Sequence, residues 1–566
     1  MKKFYIHLPI ETDGSEGMIK EGCLQIHYHD LVFDVFVDGE VYNEDHVQEE
    51  LCAAGFPQAK YKEELFLYAY LLWGTGAMEH MEGAFSFAVL QDNSLFVAKD
   101  PLGLRPIYYQ KDAGTVRISN RISTLLEYDE KPAVLDKNGI LELFTFGPSI
   151  SEDKTLLKGM YALPMGSYLQ VRNHEIHTEV YYHLHAKPHT DSLEETVQKV
   201  HDLLTDSIRA QLKGCCASFL SGGLDSSIIT SVAAKEQKDW RTYSLDYEGN
   251  KENFKGNMYQ VSLDNQFIDE MIDACGCDHS SLVITQQELL NRLTKAMKAR
   301  DCPGMADVDS SLLWLCEHVA EHERIILSGE CSDEIFGGYP WFYREELKDL
   351  DTFPWLRSSD ERISMLNEQI RDLDYEGYRK QQYENSLREV EMLDSDSEQD
   401  KRARIHTLLC LHWFMQTLVT RQVCEGDMAN LNIRAPFANV KLLEYVYNIP
   451  WDLKFLDQEE KGILRKAFEK ELPASVAHRK KNPFPKTHNP LYAELISRKL
   501  QERYDDPNSP LHVLLDDAKL KELINSRGES YQLPWYGQLM SGPQLLAYLY
   551  QIDQWILTYD IQIDLS

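Results

Sequence analysis

Alternation of apolar and polar residues dominates the N-terminal part of the chain. The segment LQIHYHDLVFDVFVDGEVYN at 24–43 alternates with a period of two, which is typical of half-buried β-strands. The segment AFSFAVLQDNSLFVAKD predicts a hairpin that turns at Asp92-Asn93-Ser94. Between these segments, EELFLYAYLLWG predicts a buried helix. We therefore expect a β-rich region over residues 1–185.

The pattern changes near residue 193. SLEETVQKVHDLLTDSIRAQL places apolar residues at helical spacing behind a glutamate-rich first turn, which predicts a helix capped by Ser192. CCASFL, RTYSLDY and RIILSG are short apolar runs separated by helix-length segments, as in a parallel sheet with crossover helices. The charged stretch 355–405 predicts a solvated helical hairpin. The polar stretch at 183–192 is the candidate linker, so we predict domains over 1–188 and 189–566.

Composition restricts the cellular compartment and the classes of partner that we expect. The 566 residues carry a formal net charge of −33, which would repel nucleic acid and anionic membranes. No apolar run reaches the ~18 residues of a membrane span, and the start of the sequence does not resemble a secretory signal. The 11 cysteines are scattered without zinc-site spacing, as reduced core thiols are. We expect a cytoplasmic protein without a nucleic-acid or membrane partner.

A turn at 218–230, SFLSGGLDSSIIT, carries the first candidate chemistry. An apolar strand enters two glycines and a helix start, so backbone N–H groups and the helix dipole face an anion. No lysine follows the glycines, so the turn is not a Walker-type P-loop. An aspartate beside phosphate is explained by a cation such as Mg²⁺. The predicted phosphate cradle comprises Ser221, Gly222, Gly223, Asp225, Ser226 and Ser227.

Two further segments complement this turn. IILSGECSDEIFGGY at 325–339 again runs from a strand into Ser-Gly, and then carries Glu330, Asp333 and Glu334. Carboxylates this close repel one another unless a cation lies among them. HRKKNPFPK concentrates basic residues in an acidic chain, and departing pyrophosphate is an anion that would require them. The basic residues are Arg479, Lys480, Lys481 and Lys486.

The pair SGGLDSS and SGECSDEIFGGY resembles the asparagine synthetase family. Similar segments extend over most of the chain, among them DGEVYN, EGAFSFAVL, IRAPFANVKLLEY and KGILRKAFEKELPASVAHRKKNPFPKTHNP. The resemblance is strongest to the long synthetases of Gram-positive bacteria. It implies a ligase that activates a carboxylate with ATP as an acyl-adenylate, releases pyrophosphate, and lets an amine displace AMP to leave an amide.

The same resemblance implies roles for individual residues. Glu330 is expected to deprotonate the amine, and Lys481 to stabilise the transition state. Asp225 and Asp333 are expected to hold Mg²⁺. ATP and pyrophosphate are expected to contact Leu220, Ser221, Gly222, Gly223, Asp225, Ser226, Ser227, Leu245, Ser328 and Gly329.

The resemblance also implies the fold class. The N-terminal domain is expected to be an αββα sandwich of the N-terminal-nucleophile type, like class II glutamine amidotransferases. The C-terminal domain is expected to be a parallel α/β domain of the adenine-nucleotide α-hydrolase type, with the ligand at the carboxyl ends of its strands. The family often forms homodimers, and a separate protein that supplies ammonia or a precursor is a further candidate partner.

The glutaminase motifs of the family are altered. Its catalytic cysteine follows the initiator methionine, whereas this sequence has Lys2, and Cys23 has no free α-amine. The family's NGE is Asp38-Gly39-Glu40, and Lys62 stands where the family has the aspartate that holds the glutamine amine. We expect a chain that does not hydrolyse glutamine and takes ammonia or another amine.

A second departure lies before the closing helix. The family reads close to DRMSMATGLEVRVPFLDHRL, and this chain has VCEGDMANLNIRAPFANVKL. Asn432 replaces a glutamate and Asn439 an aspartate, while Arg434 and Pro436 remain. The predicted substrate pocket is therefore Asn432, Arg434 and Asn439, with an acceptor that need not be free aspartate.

Four hypotheses about function remain open at this point. The first is amidation of a carboxylate such as aspartate by ammonia. The second is an intramolecular cyclase, because β-lactam synthetases and lasso-peptide cyclases resemble asparagine synthetases with inactive glutaminase domains. The third is amidation of a diaminopimelate cell-wall precursor, which some members of the Gram-positive branch perform. The fourth is a non-catalytic partner protein, which the intact ATP-site residues argue against.

Overall fold

The structure, a computed structural model, describes residues 3–9, 19–112, 114–129, 131–173, 175–254, 264–348, 350–356, 359–531, 534–537 and 540–566. Lys2, the residue compared above with the family's catalytic cysteine, lies outside the described residues. The chain divides into two compact units. The first comprises Met1–Gly139, Ile150–Leu184 and Gln562–Asp564, and the second Ile140–Ser149, His185–Ile561 and Leu565–Ser566.

The strands of the described residues are, in chain order, β1 (Tyr5–Pro9), β2 (Ile19–Glu21), β3 (Leu24–Tyr28), β4 (Leu31–Val41), β5 (Gly83–Gln91), β6 (Ser94–Lys99), β7 (Tyr108–Asp112), β8 (Thr115–Ser119), β9 (Val134–Leu135), β10 (Met160–Ala162), β11 (Ser167–Arg172), β12 (Glu175–Val180), β13 (Ala217–Phe219), β14 (Arg241–Tyr247), β15 (Asp278–Ile284), β16 (Ile325–Leu327), β17 (Asn432–Arg434) and β18 (Gln562–Ile563).

The helices are α1 (Glu44–Ala53), α2 (Lys62–Trp73), α3 (Ile122–Tyr128), α4 (Lys137–Phe146), α5 (Leu193–Ala210), α6 (Leu224–Glu236), α7 (Asn250–Asn253), α8 (Asn265–Cys275), α9 (Gln286–Asn291), α10 (Leu293–Arg300), α11 (Asp307–Val319), α12 (Ser332–Phe336), α13 (Pro340–Tyr343), α14 (Ser359–Ile363), α15 (Glu368–Arg371), α16 (Tyr375–Leu387), α17 (Glu398–Leu409), α18 (Gln416–Ala429), α19 (Val440–Tyr447), α20 (Trp451–Lys454), α21 (Gly462–Phe468), α22 (Ala474–Ala477), α23 (Pro490–Tyr504), α24 (Leu511–Leu514), α25 (Asp517–Asn525) and α26 (Gly542–Thr558). Short 3-10 turns occupy Gly74–His80 and Leu456–Gln458, and Cys410–Met415 is π-helical.

The first unit is built on two antiparallel sheets, ordered β10-β7-β8-β1-β2 and β12-β11-β6-β5-β4-β3. Phe4 and Ile6 of one sheet pack against Phe36 and Leu90 of the other, so the alternating apolar residues form the layer between the sheets. Helices α1 and α2 cover the outer face of the six-stranded sheet. The predicted hairpin at Asp92-Asn93 joins β5 to β6. This arrangement confirms the predicted αββα sandwich.

The second unit is built on a parallel sheet ordered β15-β14-β13-β16-β17. Helix α11 packs on it through Leu312 and Leu315. The predicted cap of α5 is confirmed, because the Ser192 hydroxyl accepts from the Glu195 N–H and the Glu195 carboxylate accepts from the Ser192 N–H. The predicted parallel α/β fold is therefore confirmed. Because β13 and β16 are neighbours, the turns that follow them lie side by side at one sheet edge.

The charged stretch 355–405 differs from the predicted hairpin. It is broken into α14, α15, α16 and the start of α17. One side of these helices is buried rather than solvated: Tyr383 is 8% exposed and Arg404 5%. Their charged residues therefore cover a packed face. None of the helices in the described ranges combines the length and the apolar character that a membrane crossing needs.

A buried ion pair in the second unit gives a prediction about stability. Arg300 Nη1 lies 3.2 Å from Asp309 Oδ2, and both side chains are almost completely buried. Arg300→Met should lower the free energy of unfolding by about 3–5 kcal/mol, because it leaves Asp309 charged and uncompensated. Urea unfolding followed by circular dichroism measures the loss.

The matched control is Arg498→Met, which removes an exposed Arg498–Glu494 pair and should cost less than about 0.5 kcal/mol. The double variant Arg300→Met with Asp309→Leu should recover part of the loss, because the buried charge is then gone as well. An Arg300→Met protein as stable as the wild type would contradict this account of the pair.

Candidate functional site

The turn after β13 forms one wall of a cavity of about 250 Å³ in the second unit. Gly222 has a φ of 64°, and a Cβ there would lie 2.8 Å from Phe267 Cβ, so the turn requires glycine. Gly223 then caps α6. The Ser226 hydroxyl donates to the Gly223 carbonyl at 3.3 Å and accepts from the Ser221 N–H at 3.2 Å. The turn is therefore closed by its own serines at the start of a helix.

The structure separates the predicted cradle residues into two groups. Gly222 shapes the turn without lining the cavity, and the fully buried Ser227 hydroxyl has no hydrogen-bond partner among the described residues. The other residues predicted for ATP, Mg²⁺ and catalysis are brought together at the cavity. These are Leu220, Ser221, Gly223, Asp225, Ser226, Leu245, Ser328, Gly329, Glu330, Asp333 and Lys481.

Lys461 occupies the centre of this cavity wall. Its Nζ donates to both oxygens of Asp225, at 2.7 and 2.8 Å, and lies 2.5 Å from Asp333 Oδ1. The ammonium also donates to the Ser332 hydroxyl at 3.2 Å, and Ser332 in turn donates to Asp225 Oδ1 at 2.6 Å. Burial lowers the pKa of Lys461, but the two carboxylates outweigh burial and raise it above its ordinary value. Lys461 is therefore a buried, permanently charged bridge between the two strand-end turns.

The backbone around Lys461 comes close to the ion cluster. Lys461 takes a positive φ of 57°, which costs energy for a residue with a side chain. A Cβ on Gly338 would collide with Asp333 Oδ1 and with Lys461 Cε, so only glycine allows the chain to pass there. The local strain is therefore located at the ion cluster.

Lys481 reaches the same cluster from the basic loop. Its Nζ bonds Asp333 Oδ2 and lies 4.9 Å from the centre of the Tyr339 ring. Burial raises the pKa of Asp333, but Lys461 and Lys481 together hold it below its ordinary value. Asp333 is therefore ionised at all physiological pH values.

Arg479 and Lys480 also line the cavity, and Arg479 Nη1 donates to the Ser221 carbonyl at 3.2 Å. Lys486 does not line it: its carbonyl accepts from Asn250 and its ammonium faces the buried Asp307. The predicted cation cluster therefore splits, with three members at the cavity and one behind it.

Glu330 is held at the cavity by an arginine. Arg421 Nη2 donates to Glu330 Oε1 at 3.0 Å, and the Arg421 side chain is 2% exposed. Burial raises the pKa of Glu330; Arg421 opposes the rise and Asp333 adds to it. A carboxylate with a raised pKa beside a reacting group can accept a proton at neutral pH.

Glu334 has a structural role. It accepts a hydrogen bond from the Tyr339 hydroxyl at 2.7 Å, and burial followed by the charge of Asp333 raises its pKa to about 8. Glu334 is therefore predominantly protonated at neutral pH, which removes one charge from the carboxylate cluster.

The predicted substrate residues are not brought to the cavity. Arg434 is buried and donates to the carbonyls of Gln211 and Lys213. Asn439 caps α19 by accepting from the Leu442 N–H at 3.0 Å, and Asn432 lies in the ladder between β17 and β16. These three residues lie outside the lining of this cavity, and their assignment to a substrate pocket stays a prediction. The cavity is bounded instead by Phe414, Leu418, Arg421, Gln422 and Tyr536.

Lys461 and Arg421 are two charged cavity residues that the sequence did not single out. Lys461 follows Glu459 and Glu460, so its neighbours in sequence resemble a solvated charged turn. Its only sequence signal is the segment KGILRKAF, which belongs to the family resemblance. Arg421 lies in α18 within a mostly buried stretch, where an arginine is a sign of a specific partner.

In the first unit, the altered glutaminase positions are occupied by internal contacts. Lys62 Nζ donates to the Gly39 carbonyl at 3.1 Å. Asp38 is 8% exposed and lies 4.0 Å from Arg105 Nη1. Cys23 lies between β2 and β3, inside the chain. Lys62 therefore carries an ammonium group at the position where the family resemblance implies an aspartate.

The residues of the second unit fit Mg²⁺ and a nucleotide. Mg²⁺ takes one or two carboxylates together with phosphate oxygens, and Asp225 and Asp333 are two carboxylates that already share one cation. The glycine turn and the N-terminus of α6 are suited to phosphate oxygens.

Known proteins match over both units. The asparagine synthase family matches residues 199–556, and the glutamine amidotransferase domain matches residues 22–182. Glutamine-hydrolyzing asparagine synthetase 3 of Bacillus subtilis (strain 168) is 39% identical over 548 residues, covering 95% of this chain and 89% of that protein. Glutamine-hydrolyzing asparagine synthetase 1 of the same organism is 26% identical, covering 82% and 78%. Amidase chyE of Penicillium rubens is 23% identical, covering 90% and 82%. The chain therefore belongs to the asparagine synthetase family, whose members are ATP-dependent ligases that form carbon–nitrogen bonds.

Proposed function

We propose that this ligase uses ATP and Mg²⁺ to activate a carboxylate as an acyl-adenylate, and that ammonia or another amine completes the amide without glutamine hydrolysis. The observation that carries the proposal is the buried bridge of Lys461 between Asp225 and Asp333. A charged lysine, two carboxylates and a glycine turn at neighbouring strand ends are the components that pyrophosphate release requires.

The contacts within the cavity support a separate role for each of these residues. Asp225 and Asp333 would hold Mg²⁺, and the turn from Ser221 to Ser226 would hold the β- and γ-phosphates. ATP supplies the α-phosphate that makes the carboxylate a good acyl donor. Lys461 and Lys481 lie where negative charge grows as pyrophosphate leaves, and their ammonium groups stabilise that charge. Because both are already fixed by ion pairs, little reorganisation is needed.

Glu330 would accept the proton of the attacking amine. Its raised pKa and its position beside Asp333 support this role. Arg421 orients the carboxylate and keeps part of it ionised, since the guanidinium lowers the pKa that burial raises. Arg421 is thus a positioning residue rather than a participant in the bond change.

The nitrogen source is proposed from the first unit. Lys62, which donates to the Gly39 carbonyl, places a positive charge where the family binds the glutamine amine through an aspartate. Two positive groups repel, so glutamine binding is disfavoured. The same observation supports a second candidate, an intramolecular cyclase whose amine belongs to the substrate; dependence on ammonia separates the two.

The first prediction concerns the bridge. Lys461→Met should reduce pyrophosphate formation by at least ~100-fold, because it removes a preorganised cation from the leaving group and leaves Asp225 without its ion pair. Lys481→Met should also reduce it, by a smaller factor, since Lys481 contacts one of the two carboxylates. Pyrophosphate release with ATP, Mg²⁺ and aspartate or another candidate carboxylate is the measurement.

Lys466→Met is the matched control. Lys466 lies on α21 five positions after Lys461, but it is exposed and paired with Glu469. It should retain wild-type activity, and circular dichroism should show all three variants folded. A folded Lys461→Met protein with normal activity would refute the role given to the bridge.

The second prediction concerns pH. Glu330 must be ionised to act as a base, so activity should be lost as pH falls through its raised pKa. Arg421→Met removes the group that lowers this pKa, so the acid limb of the kcat/KM profile should move to higher pH. Glu330→Gln should abolish amide formation, whereas adenylate formation persists. An acid limb that does not shift in Arg421→Met would refute the role of Arg421 in lowering the pKa of Glu330.

The third prediction concerns nitrogen. With ammonium chloride the enzyme should form amide, and with glutamine alone it should release no glutamate. Glutamate release coupled to amide formation would overturn the proposal that the first unit does not hydrolyse glutamine. Product formation with neither ammonia nor glutamine would favour the cyclase.

A further inference from the structure

A second cavity, of about 240 Å³, lies in the second unit apart from the residues that line the ATP site. It is enclosed by the segment 187–189, the start of α17 and the region from Tyr447 to α20. A single water needs only ~15 Å³ of such space, so the cavity admits a small molecule. The charged and titratable groups that face it are Lys187, His189, Asp396, Asp400, Arg404, Tyr447 and Lys454.

The two carboxylates of this cavity are already satisfied. Asp396 accepts from Arg404 Nε at 2.8 Å and from the Leu393 N–H at 2.9 Å. Asp400 accepts from the Trp451 N–H at 2.7 Å and from the Ser397 hydroxyl at 2.6 Å. These acids therefore fix the walls and are not oriented toward a further cation.

Lys454 differs from these acids, because no comparable partner of it lies among the described residues. It is 3% exposed, and within the described part of the chain its Nζ reaches only the Tyr447 carbonyl, at 3.5 Å. Among the described residues it forms no ion pair, although its side chain lines the cavity. A buried ammonium is costly unless it is paired, and the two carboxylates of the cavity are engaged elsewhere, so a further negative group would find an unpaired cation here.

The surrounding charge favours an anion. Arg404 is buried beside Lys454, stacks 4.8 Å from the Tyr447 ring and donates to the Asn448 side chain at 3.1 Å. Burial, followed by the charge of Arg404, lowers the pKa of Lys454 to about 7, and Asp400 only partly opposes this. Lys454 therefore exchanges its proton in the physiological range, and a bound anion would keep it charged.

We propose that this cavity is a binding site for a small oxyanion, a carboxylate or a phosphate, whose negative charge pairs with Lys454. The buried Arg404 adds positive potential, and the exposed Lys187 and the half-buried His189 stand at the outer wall. The size of the cavity limits the ligand to a small molecule. This site is separate from the proposed acyl-adenylate chemistry and does not depend on it.

Competitive labelling of the full-length protein tests the site directly. Acetic anhydride is applied at pH 7.5 with increasing inorganic phosphate or, separately, acetate, at ionic strength held constant with chloride, and acylation is read peptide by peptide. Labelling of Lys454 should slow at least tenfold at saturation with one or both anions. Exposed Lys238 is the internal control and should label at one rate throughout. Protection by phosphate alone or by acetate alone identifies the headgroup.

Three variants extend the test to affinity. The melting temperature of the wild type and of Lys238→Met should rise in a saturable way with the protecting anion, and Lys454→Met should lose at least tenfold in affinity. Lys461→Met should keep the response, since its effect is confined to the ATP site. Protection should weaken above pH 7, as Lys454 loses its proton. Labelling of Lys454 that neither anion slows would mean a cavity filled with water only, and would overturn the proposal even if Lys454→Met fails to fold.

Discussion

Asp225 and Asp333 come from turns that follow neighbouring strands, and the fold brings their carboxylates into one buried space. Such a pair is tolerable only with a cation between them, and Lys461 supplies it. The demands on the surrounding chain follow from this contact: the left-handed backbone of Lys461 and the absence of a side chain at Gly338. Buried ion clusters contribute little net stability, because desolvation offsets attraction. Under the proposed function, the cluster is a charge arrangement that serves an anionic ligand.

The strand–turn–helix segments could be predicted from sequence because their signals are local. Alternation, the two glycines after β13 and the cap at Ser192 each act within a few residues. Lys461 could not be found in this way, since Asp225 is 236 residues away and its immediate neighbours are acidic. Substitution relative to the family drew attention to Asn439, whose side-chain oxygen caps a helix outside the cavity lining. Chemistry that depends on neighbouring residues can thus be predicted from the sequence. A charged residue whose partners are distant in sequence can be identified only once the fold is known.

The first unit shows how independent a fold is of the chemistry placed on it. Its two sheets are held by the apolar layer to which Phe4, Ile6 and Phe36 contribute. Lys62, at one of the altered glutaminase positions, is accommodated by a hydrogen bond to the Gly39 carbonyl. A matched domain family therefore establishes architecture, and activity must be argued from the polar residues.

The cavity is assembled from two kinds of element. Ser221, Asp225, Glu330 and Asp333 lie on turns fixed by the parallel sheet, whereas Leu418, Arg421 and Gln422 lie within little more than one turn of helix α18. Exchanging Leu418 and Gln422 would alter the lining while keeping Arg421, which holds Glu330 on its strand-end turn. For protein engineering, this separation makes α18 a compact target for a substitution library, since the positions to be varied lie close together in sequence and the strand-end turns are encoded elsewhere.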